Sequence, residues 1–416
     1  MAPDTIPYEL KRLIYDYVDL QTIKSLRQVS RAWASVGVEL LLLSSFHIKS
    51  HSLDVQRLID IGSSPAVSLQ AAKTIKRIVF QNSRWSPRYF RKIVCSRHEH
   101  RSHYDAVDFV PTQEEQGALD ELDVTIAQKD QDDKEERRES RLMLALRGAP
   151  QVNSIKIECR NPFQNPILRK VWEEYALEAY RTVNSRPDQL LGVISAAIQV
   201  GLPIEHFIHD QLLSSCFEND DLVSSVLLWE ELRGLKSLNL VISDLDATFS
   251  ADDRAVERLR QWISSFPALE DLSVHFETLD AIPTSFLSKM ATGTLHVLSL
   301  GSVSVEPVEF TAFLEGNLWT LKRLRLRFVD IPQGHGTWQE FLENLRDLSG
   351  DKLEKFQLSG MVRSVDGESE QWLLWSRYDE KWNVMPKERS PRAREIEDFV
   401  LRGGAWPMVP SDSMVF

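Results

Sequence analysis

The chain has 416 residues, of which 43% are hydrophobic, so it is long enough for roughly two or three compact units or for one elongated array. Its formal net charge of −12 argues against a general nucleic-acid binder, and it has no apolar stretch of the roughly 20 residues that a membrane span needs. The cysteines are few and scattered and no secretory signal is evident, so we expect a cytoplasmic and/or nuclear protein.

Three short helices are predicted in the first 42 residues. Pro7 fits the first turn of a helix, because the amide that proline lacks would be unpaired there. Asp19 can cap a second helix, and a third follows Ser30. Apolar residues recur at helical spacing along these helices: Leu10, Leu13, Ile14, Tyr17, Val18, Leu20, Ile23, Leu26, Trp33, Val36 and Leu40. Helices this short cannot bury every apolar face against one another, so the rest of the chain or another protein must cover the remainder.

The segment IPYELKRLIYDYVDLQTIKSLRQVSRAW resembles an F-box, the helical module that attaches a substrate receptor to the adaptor subunit of an SCF-type cullin–RING ubiquitin ligase. Ile6 replaces the family's leucine before Pro7, and the other matching positions are Glu9-Leu10, Ile14, Tyr17-Val18, Leu20, Leu26, Val29-Ser30-Arg31 and Trp33. The resemblance implies adaptor contacts at Pro7, Leu10, Ile14, Leu26, Val29, Ser30 and Trp33. The alternative is an ordinary helical cap that buries the same residues inside the chain.

Two charged blocks of opposite sign come next and can screen each other. Residues 73–103 carry nine Lys or Arg and one acid, whereas residues 112–141 carry eleven acids and five bases. The acidic block is predicted to be an insertion that forms either a solvated helix or a mobile loop. In the basic block, RWSPRYFRK at 84–92 has the aromatic and cationic mixture of an RNA contact, but a helix that buries Trp85, Tyr89 and Phe90 explains it as well.

The pattern L-x-x-L-x-L recurs through the second half of the chain, starting at residues 235, 269, 295, 321 and 353, with looser copies at 43, 75 and 152. Its last two apolar positions are two residues apart, as in a half-buried strand. Helical stretches separate the copies, for example residues 256–266, and two more helices are predicted after Pro166 and Pro187. The pattern resembles irregular leucine-rich repeats, although the asparagine or cysteine that commonly follows the repeat strand is not regularly placed.

A last helix is predicted from Pro391, with Ile396, Phe399 and Val400 on one face and Gly403-Gly404 at its end, after which Trp406 folds back. The sequence therefore predicts an α/β fold class in three parts. An N-terminal three-helix F-box at 1–42 precedes an irregular leucine-rich-repeat solenoid at 43–385, with helical insertions, and a C-terminal helical cap follows at 386–416.

A cationic patch is predicted on the outward positions of two neighbouring repeat strands, at Arg323, Arg325, Arg327 and Lys355. Guanidinium groups bind carboxylate and phosphate through paired hydrogen bonds, so an acidic or phosphorylated segment of a target protein is the predicted ligand. The alternative is that acidic residues of this chain, such as those near Asp130, neutralise the patch.

No motif for catalysis or for a cofactor is recognised. Cys95, His98, His100 and His103 lie close together but lack the paired spacing of a zinc site, so no metal is predicted. The resemblances imply a non-enzymatic substrate-recognition subunit of an SCF-type ligase, with the adaptor subunit, through it the cullin, and an unknown target protein as partners. A repeat scaffold without a ligase role and an RNA-binding regulator are the alternatives, and neither a membrane nor a nucleic acid is an expected partner.

Overall fold

The computed structural model describes residues 6–18, 20–30, 32–34, 36, 45–49, 51–63, 74–82, 87–96, 111–136, 139–159, 161–181, 188–217, 226–243, 249, 253–278, 280–288, 290, 293–350, 352–364, 371–374 and 391–407. The chain divides into two compact units, unit 1 at Met1–Ile204 and unit 2 at Glu205–Phe416.

Unit 1 has, among its described residues, three parallel strands: β1 (Ser45–Ile48), β2 (Arg77–Asn82) and β3 (Ser154–Cys159). The middle strand is β2, in which Arg77 lies opposite Ser45 of β1 and Ser154 of β3. The helices described in this unit are α1 (Tyr8–Asp16), α2 (Leu20–Arg27), α3 (His51–Ser63), α4 (Pro87–Ser96), α5 (Gln113–Glu136), α6 (Glu139–Arg147), α7 (Pro166–Arg181) and α8 (Asp188–Val200). Parallel strands need long crossover connections, and α3 to α6 occupy the connections between these three strands.

Unit 2 has a larger sheet, in which the described strands follow the order β4-β5-β6-β8-β9-β10-β11 and β7 pairs with β8. All pairs are parallel except β10 with β11. The strands are β4 (His206–Leu213), β5 (Ser237–Ser243), β6 (Asp271–Glu277), β7 (Ile282–Pro283), β8 (Val297–Ser304), β9 (Arg323–Ile331), β10 (Lys355–Ser364) and β11 (Gln371–Leu373). The described helices are α9 (Val226–Glu231), α10 (Asp253–Ser264), α11 (Pro307–Asn317), α12 (Trp338–Ser349) and α13 (Pro391–Arg402).

Every L-x-x-L-x-L pattern contains the start of a strand, so these strand predictions are confirmed. In each copy the strand begins at the third residue of the pattern, as at Ser237, Asp271 and Arg323. The strands also start in register. The carbonyl oxygen of the residue before one strand accepts hydrogen bonds from the backbone amides at the start of the neighbouring strand. For example, the Lys236 carbonyl oxygen accepts from the amides of Glu270 (2.8 Å) and Asp271 (2.9 Å). Strand β4 was not predicted, since its sequence lacks the leucine pattern.

The alternation along these strands gives the sheet of unit 2 one apolar and one polar face. The apolar face is buried, with Leu240, Leu272 and Leu300 fully enclosed. A series of ring contacts links Trp262 of α10 to Phe276 of β6 through two intervening phenylalanines, with centroid separations of 5.9, 5.6 and 5.4 Å. Because these aromatics lie between helix and sheet, they hold the helices on the apolar face and leave the opposite face for polar residues.

The predicted fold class is wrong. Both units are built of parallel strands that alternate with helices, which is an α/β fold, and not of a helical F-box followed by an irregular leucine-rich-repeat solenoid with a helical cap. The leucine pattern specifies only a strand with one apolar face, and any parallel sheet that helices cover on that face meets this condition. Helices of 12 residues fill the connections, as α10 and α12 do, and β10 is ten residues long.

Individual helices agree with their predictions. The acidic block at 112–141 is helical in its described part, where α5 begins with reciprocal hydrogen bonds between Thr112 and Glu115. The last helix is α13, which ends before Gly403 at a φ of 76°, and Trp406 packs on Phe399 at a centroid separation of 5.3 Å. Over the part of the chain that the structure describes, no helix is long and apolar enough to cross a membrane.

Candidate functional site

An apolar face on the N-terminal helices is open to solvent. We call it the N-terminal apolar face and define it by Leu10, Leu13, Ile14 and Tyr17, all of which are exposed. Leu10 is 52% exposed and Tyr17 is 83% exposed. Leu10, Leu13, Ile14 and Tyr17 follow the i, i+3, i+4, i+7 spacing of one helix face. An apolar helix face normally points to the core, so this exposed stripe is a candidate interaction surface.

The opposite side of α1 packs on a small core of its own. Tyr15, Ile23, Trp33 and Val36 are buried in it, and Ile6, Val18 and Leu26 are partly buried against it. The Tyr15 hydroxyl donates to the Trp33 carbonyl oxygen at 2.8 Å, and the two rings meet edge to face at 5.6 Å. Lys11 is also buried on this side, with its Nζ atom 5.9 Å from the centre of the Trp33 ring. This cluster fixes the orientation of α1, because rotating the helix would expose Tyr15 and Trp33.

The residues predicted to contact an adaptor divide into two groups. Pro7, Leu10, Ile14 and Val29 are exposed. Leu26 is half-buried against the core, and Trp33 is only 5% exposed. Ser30 is half-buried, and its hydroxyl oxygen accepts a hydrogen bond from the Trp33 amide at 3.4 Å. The structure therefore brings Pro7, Leu10 and Ile14 to one side of α1, leaves Val29 exposed outside this helix, and gives the second group structural roles. Leu13 and Tyr17 also lie on this face but were not predicted as contacts, although their spacing from Leu10 and Ile14 could have indicated them.

The predicted cationic patch lies on the polar face of the unit 2 sheet. We call Arg323, Arg325, Arg327 and Lys355 the cationic row. The three arginines occupy alternate positions of β9 and share one face, and Lys355 of β10 lies opposite Arg323. Arg323 is exposed, Arg325 is half-buried and Arg327 is buried, so the exposure of the row decreases from the start of β9 toward its middle. The structure thus brings together all four residues predicted from the sequence.

Polar side chains of the neighbouring strands surround the inner end of the cationic row. Across the sheet, Arg325 lies between Ser299 of β8 and Gln357 of β10, and Gly301 of β8 lies opposite Arg327. His275 of β6 covers Gly301, because a Cβ atom added there would lie 2.2 Å from the His275 Nδ1 atom. These neighbours were not predicted as part of a site, since only the strand pairing places them beside the arginines.

His275 is the titratable neighbour of the arginines. Its Nε2 atom lies 3.2 Å from the Ser299 hydroxyl oxygen. Burial, together with the guanidinium groups of Arg327 and Arg325, lowers the pKa of His275 from 6.5 to about 4. The imidazole is therefore neutral at neutral pH and adds no positive charge to the site.

The charged groups outside the row are mostly paired. At the strand starts, Lys236 binds Glu205 at 2.8 Å and Lys322 binds Glu354 at 3.1 Å. Farther along, Arg363 forms a two-point ion pair with Asp330. In contrast, within the described residues, Arg325 forms no ion pair or hydrogen bond, and its buried Nε atom has no acceptor. The positive charge of Arg325 is thus not neutralised locally.

An acidic group lies on the same polar face at the far ends of β5 and β6. The Ser243 hydroxyl donates to the Glu277 carboxylate at 2.6 Å. Burial raises the pKa of Glu277 and Asp210 adds to the rise, while the bond from Ser243 opposes it. Because the Ser243 hydroxyl satisfies this carboxyl group, Glu277 has a structural role in the sheet.

An RNA contact and a metal site, neither of which is predicted from the sequence, find no support in the described residues. In the basic segment, Phe90 is buried against Phe163 (5.2 Å) and Trp172 (5.9 Å), and Arg91 pairs with Asp123, which favours the structural role over an RNA contact. His98, His100, His103 and the side chain of Asp130 lie outside the described residues. The structure contains no group of metal-binding side chains in its described part.

Comparison with known proteins adds no identification. No protein-family model matches the chain, and no curated protein matches its sequence.

Proposed function

We propose that this chain is the substrate-recognition subunit of an SCF-type cullin–RING ubiquitin ligase. In this function the N-terminal apolar face binds the adaptor subunit, which connects the chain to the cullin, and unit 2 binds the target protein. The chain contributes binding and no catalytic group. The observation that carries the proposal is the outward direction of the stripe formed by Leu10, Leu13, Ile14 and Tyr17.

The exposed stripe is a feature that a partner would stabilise. Full burial of a leucine, isoleucine or similar side chain is worth about 1.5–3 kcal/mol, so covering side chains that are about half-exposed yields roughly 1 kcal/mol each. The face has four such residues, so covering all of them would contribute roughly 4 kcal/mol. The ordered resemblance of residues 6–33 to an F-box supports the adaptor of an SCF-type ligase as the partner.

Fixed orientation makes the face suitable for binding. The Tyr15–Trp33 contact and the buried Lys11 hold α1 in one rotation about its axis, so the apolar stripe is already directed outward. A face that is organised before binding loses less conformational entropy on association. This also determines the choice of variants, because replacing Trp33 would disturb the helix core, whereas replacing Leu10 would alter only the surface.

Co-purification with the purified ligase adaptor tests the proposal. Leu10→Glu places a charge in the face and is expected to abolish capture of the adaptor. Leu144→Glu is the matched control, because Leu144 on α6 is also 52% exposed but lies outside the face. This control should retain capture, and circular dichroism should show that both variants are folded. Equal capture by wild type and Leu10→Glu, or no capture by wild type, would contradict the proposal.

The scaffold alternative uses the same surfaces without a ligase. Reconstitution with the adaptor, the cullin and the RING subunit distinguishes the two functions. If the chain is a receptor, it enters the assembled complex at one copy per cullin, and Leu10→Glu prevents this. A folded wild-type chain that stays out of the complex would favour the scaffold.

A further inference from the structure

The cationic row has a spacing that matches an extended peptide. Arg323, Arg325 and Arg327 occupy alternate residues of β9, so their Cα atoms are separated by roughly 6.6 Å along the strand. Alternate side chains of any extended peptide have the same separation and point to one side. Two carboxylates at alternate positions of such a peptide can therefore face Arg323 and Arg325, whereas Arg327 is buried.

The strand next to the row places small residues beside the arginines. On β8, the positions opposite Arg325 and Arg327 are Ser299 and Gly301, which are small. The His275 imidazole lies across Gly301 and presents a polar edge there. The surroundings of Arg325 and Arg327 on this strand are thus small and polar, with no apolar side chain at these positions.

The charge of the row favours an acidic ligand. Within the described residues neither Arg323 nor Arg325 forms an ion pair, although the whole chain carries a net charge of −12. By comparison, the neighbouring basic residues Lys322 and Arg363 are each paired with a carboxylate. Since half-buried Arg325 has lost part of its hydration, a carboxylate that reaches it replaces the missing solvent interactions.

Hydrogen-bonding atoms at the inner end of the row are also unused within the described part of the chain. The buried Arg325 Nε, His275 Nδ1 and Gln357 Oε1 atoms have no hydrogen-bond partner there. Gln357 is only 3% exposed, so its side chain is held in place beside Arg325. These atoms have almost no solvent-accessible surface, so they mark a polar environment around Arg325 and are not themselves contact points for a ligand.

We propose that the cationic row binds an extended acidic segment of a target protein, with carboxylates at alternate positions facing Arg323 and Arg325. The inference rests on the proposed function, because the segment belongs to the protein that unit 2 recognises. Arg325 binds one carboxylate through paired hydrogen bonds at the half-buried centre of the site. Exposed Arg323 adds a weaker, solvent-screened attraction at the entrance.

Fluorescence anisotropy with the full chain and synthetic peptides tests whether the cationic row binds an acidic segment. The probe is a labelled peptide of about nine residues, with three glutamates at alternate positions among glycine and serine. The spacing control has the same composition with glutamate at every third position, so that its side chains no longer share one side. A third peptide replaces the glutamates by glutamine. Only the first peptide should bind well, and its affinity should fall as salt is raised.

Variants of the cationic row are expected to weaken peptide binding by different factors. Arg325→Ala should weaken binding about tenfold or more, as expected for a charge-assisted hydrogen bond at a half-buried position. Arg323→Ala should weaken it about two- to fivefold, as expected for an exposed ion pair. Lys322→Ala removes the same charge from the adjacent residue, which pairs with Glu354 instead, and should change the Kd less than about twofold. Because Arg323 is exposed, its variant reports on binding even if Arg325→Ala alters the fold.

The outcomes separate this inference from the proposed function. Equal affinity for the alternate and every-third peptides, equal effects of Arg323→Ala and Lys322→Ala, or no binding by wild type at low salt would each overturn the inference. A fourth peptide with a single phosphoserine replacing the central glutamate is included, and binding confined to that peptide would also overturn it. Adaptor capture is measured with the same preparations. Arg325→Ala should retain it, so loss of capture in wild type would refute the ligase function without changing the peptide result.

Discussion

Mild acid should destabilise unit 2 through His209. This side chain lies on the apolar face of β4 and is buried, and its Nδ1 atom accepts from the Gln211 amide at 3.2 Å. Burial lowers the pKa of His209 from 6.5 to about 3. The folded protein therefore keeps the imidazole neutral at a pH where the unfolded chain binds a proton. The stabilising contribution of His209 is present above about pH 6.5 and is lost progressively as the pH falls toward 3.

The loss of stability follows from the difference between the pKa of His209 in the unfolded chain and its pKa in the folded protein. One unit of pKa corresponds to about 1.4 kcal/mol, so lowering the pH from about 7 to about 5 should remove about 2 kcal/mol through His209 alone. His275, whose pKa is about 4, contributes a similar loss in wild type. The test variant is His209→Asn, because the amide oxygen of asparagine can still accept from Gln211 and does not titrate.

Urea unfolding of both proteins at the two pH values provides the measurement. The free energy of unfolding of His209→Asn should fall by about 2 kcal/mol less than that of wild type over this interval. The contributions of His275 and of the carboxylates are common to both proteins and cancel in the comparison. His206→Asn is the matched control in the same strand, where the side chain is half-buried. If wild type and His209→Asn lost the same stability, the assignment of a buried neutral imidazole would be refuted.

Three further predictions concern the stability of particular elements. Thr337→Ala removes the capping box of α12, in which the Thr337 hydroxyl accepts from the Glu340 amide, and should lower the free energy of unfolding by about 1 kcal/mol in urea titrations; no change would contradict the cap. Gly301→Ala should destabilise by about 1–3 kcal/mol and displace the His275 ring in NMR spectra, and an unmoved ring would show that the close approach is not real. Gly192→Ala, in α8 with no atom within 4 Å of the added Cβ, should instead raise the melting temperature, corresponding to about 0.5–1 kcal/mol; a decrease would refute this.

The candidate surfaces were predictable from the sequence to different degrees. The alternation of Arg323, Arg325 and Arg327 is local, so a strand prediction was sufficient to place them on one face. The apolar stripe of α1 was also visible as a helical period. The direction of this stripe was not predictable, because a helical period identifies an apolar face without showing whether that face points to the core or to a partner. Trp33 illustrates the difference, since its sequence position suggested a contact and the structure buries it.

The residues around the arginines belong to the tertiary structure alone. His275, Ser299 and Gln357 are separated from Arg325 by 24 residues or more along the chain and become its neighbours only through the pairing of β6, β8, β9 and β10. The lowered pKa of His275 has the same origin, because its causes are burial and two guanidinium groups of another strand. Nothing in the local sequence around any of these residues indicates such an environment.

The amino-acid sequence by itself determined where the strands begin and where several helices start and end. These features depend on neighbours within a few residues, such as the leucine spacing before β5 or the glycines after α13. The tertiary structure decided that the strands join in parallel sheets with helices between them, which face of α1 is exposed, and which polar groups surround Arg325. The physical reason is that these features depend on contacts between distant segments, and many sheet arrangements satisfy the same local alternation of apolar and polar residues.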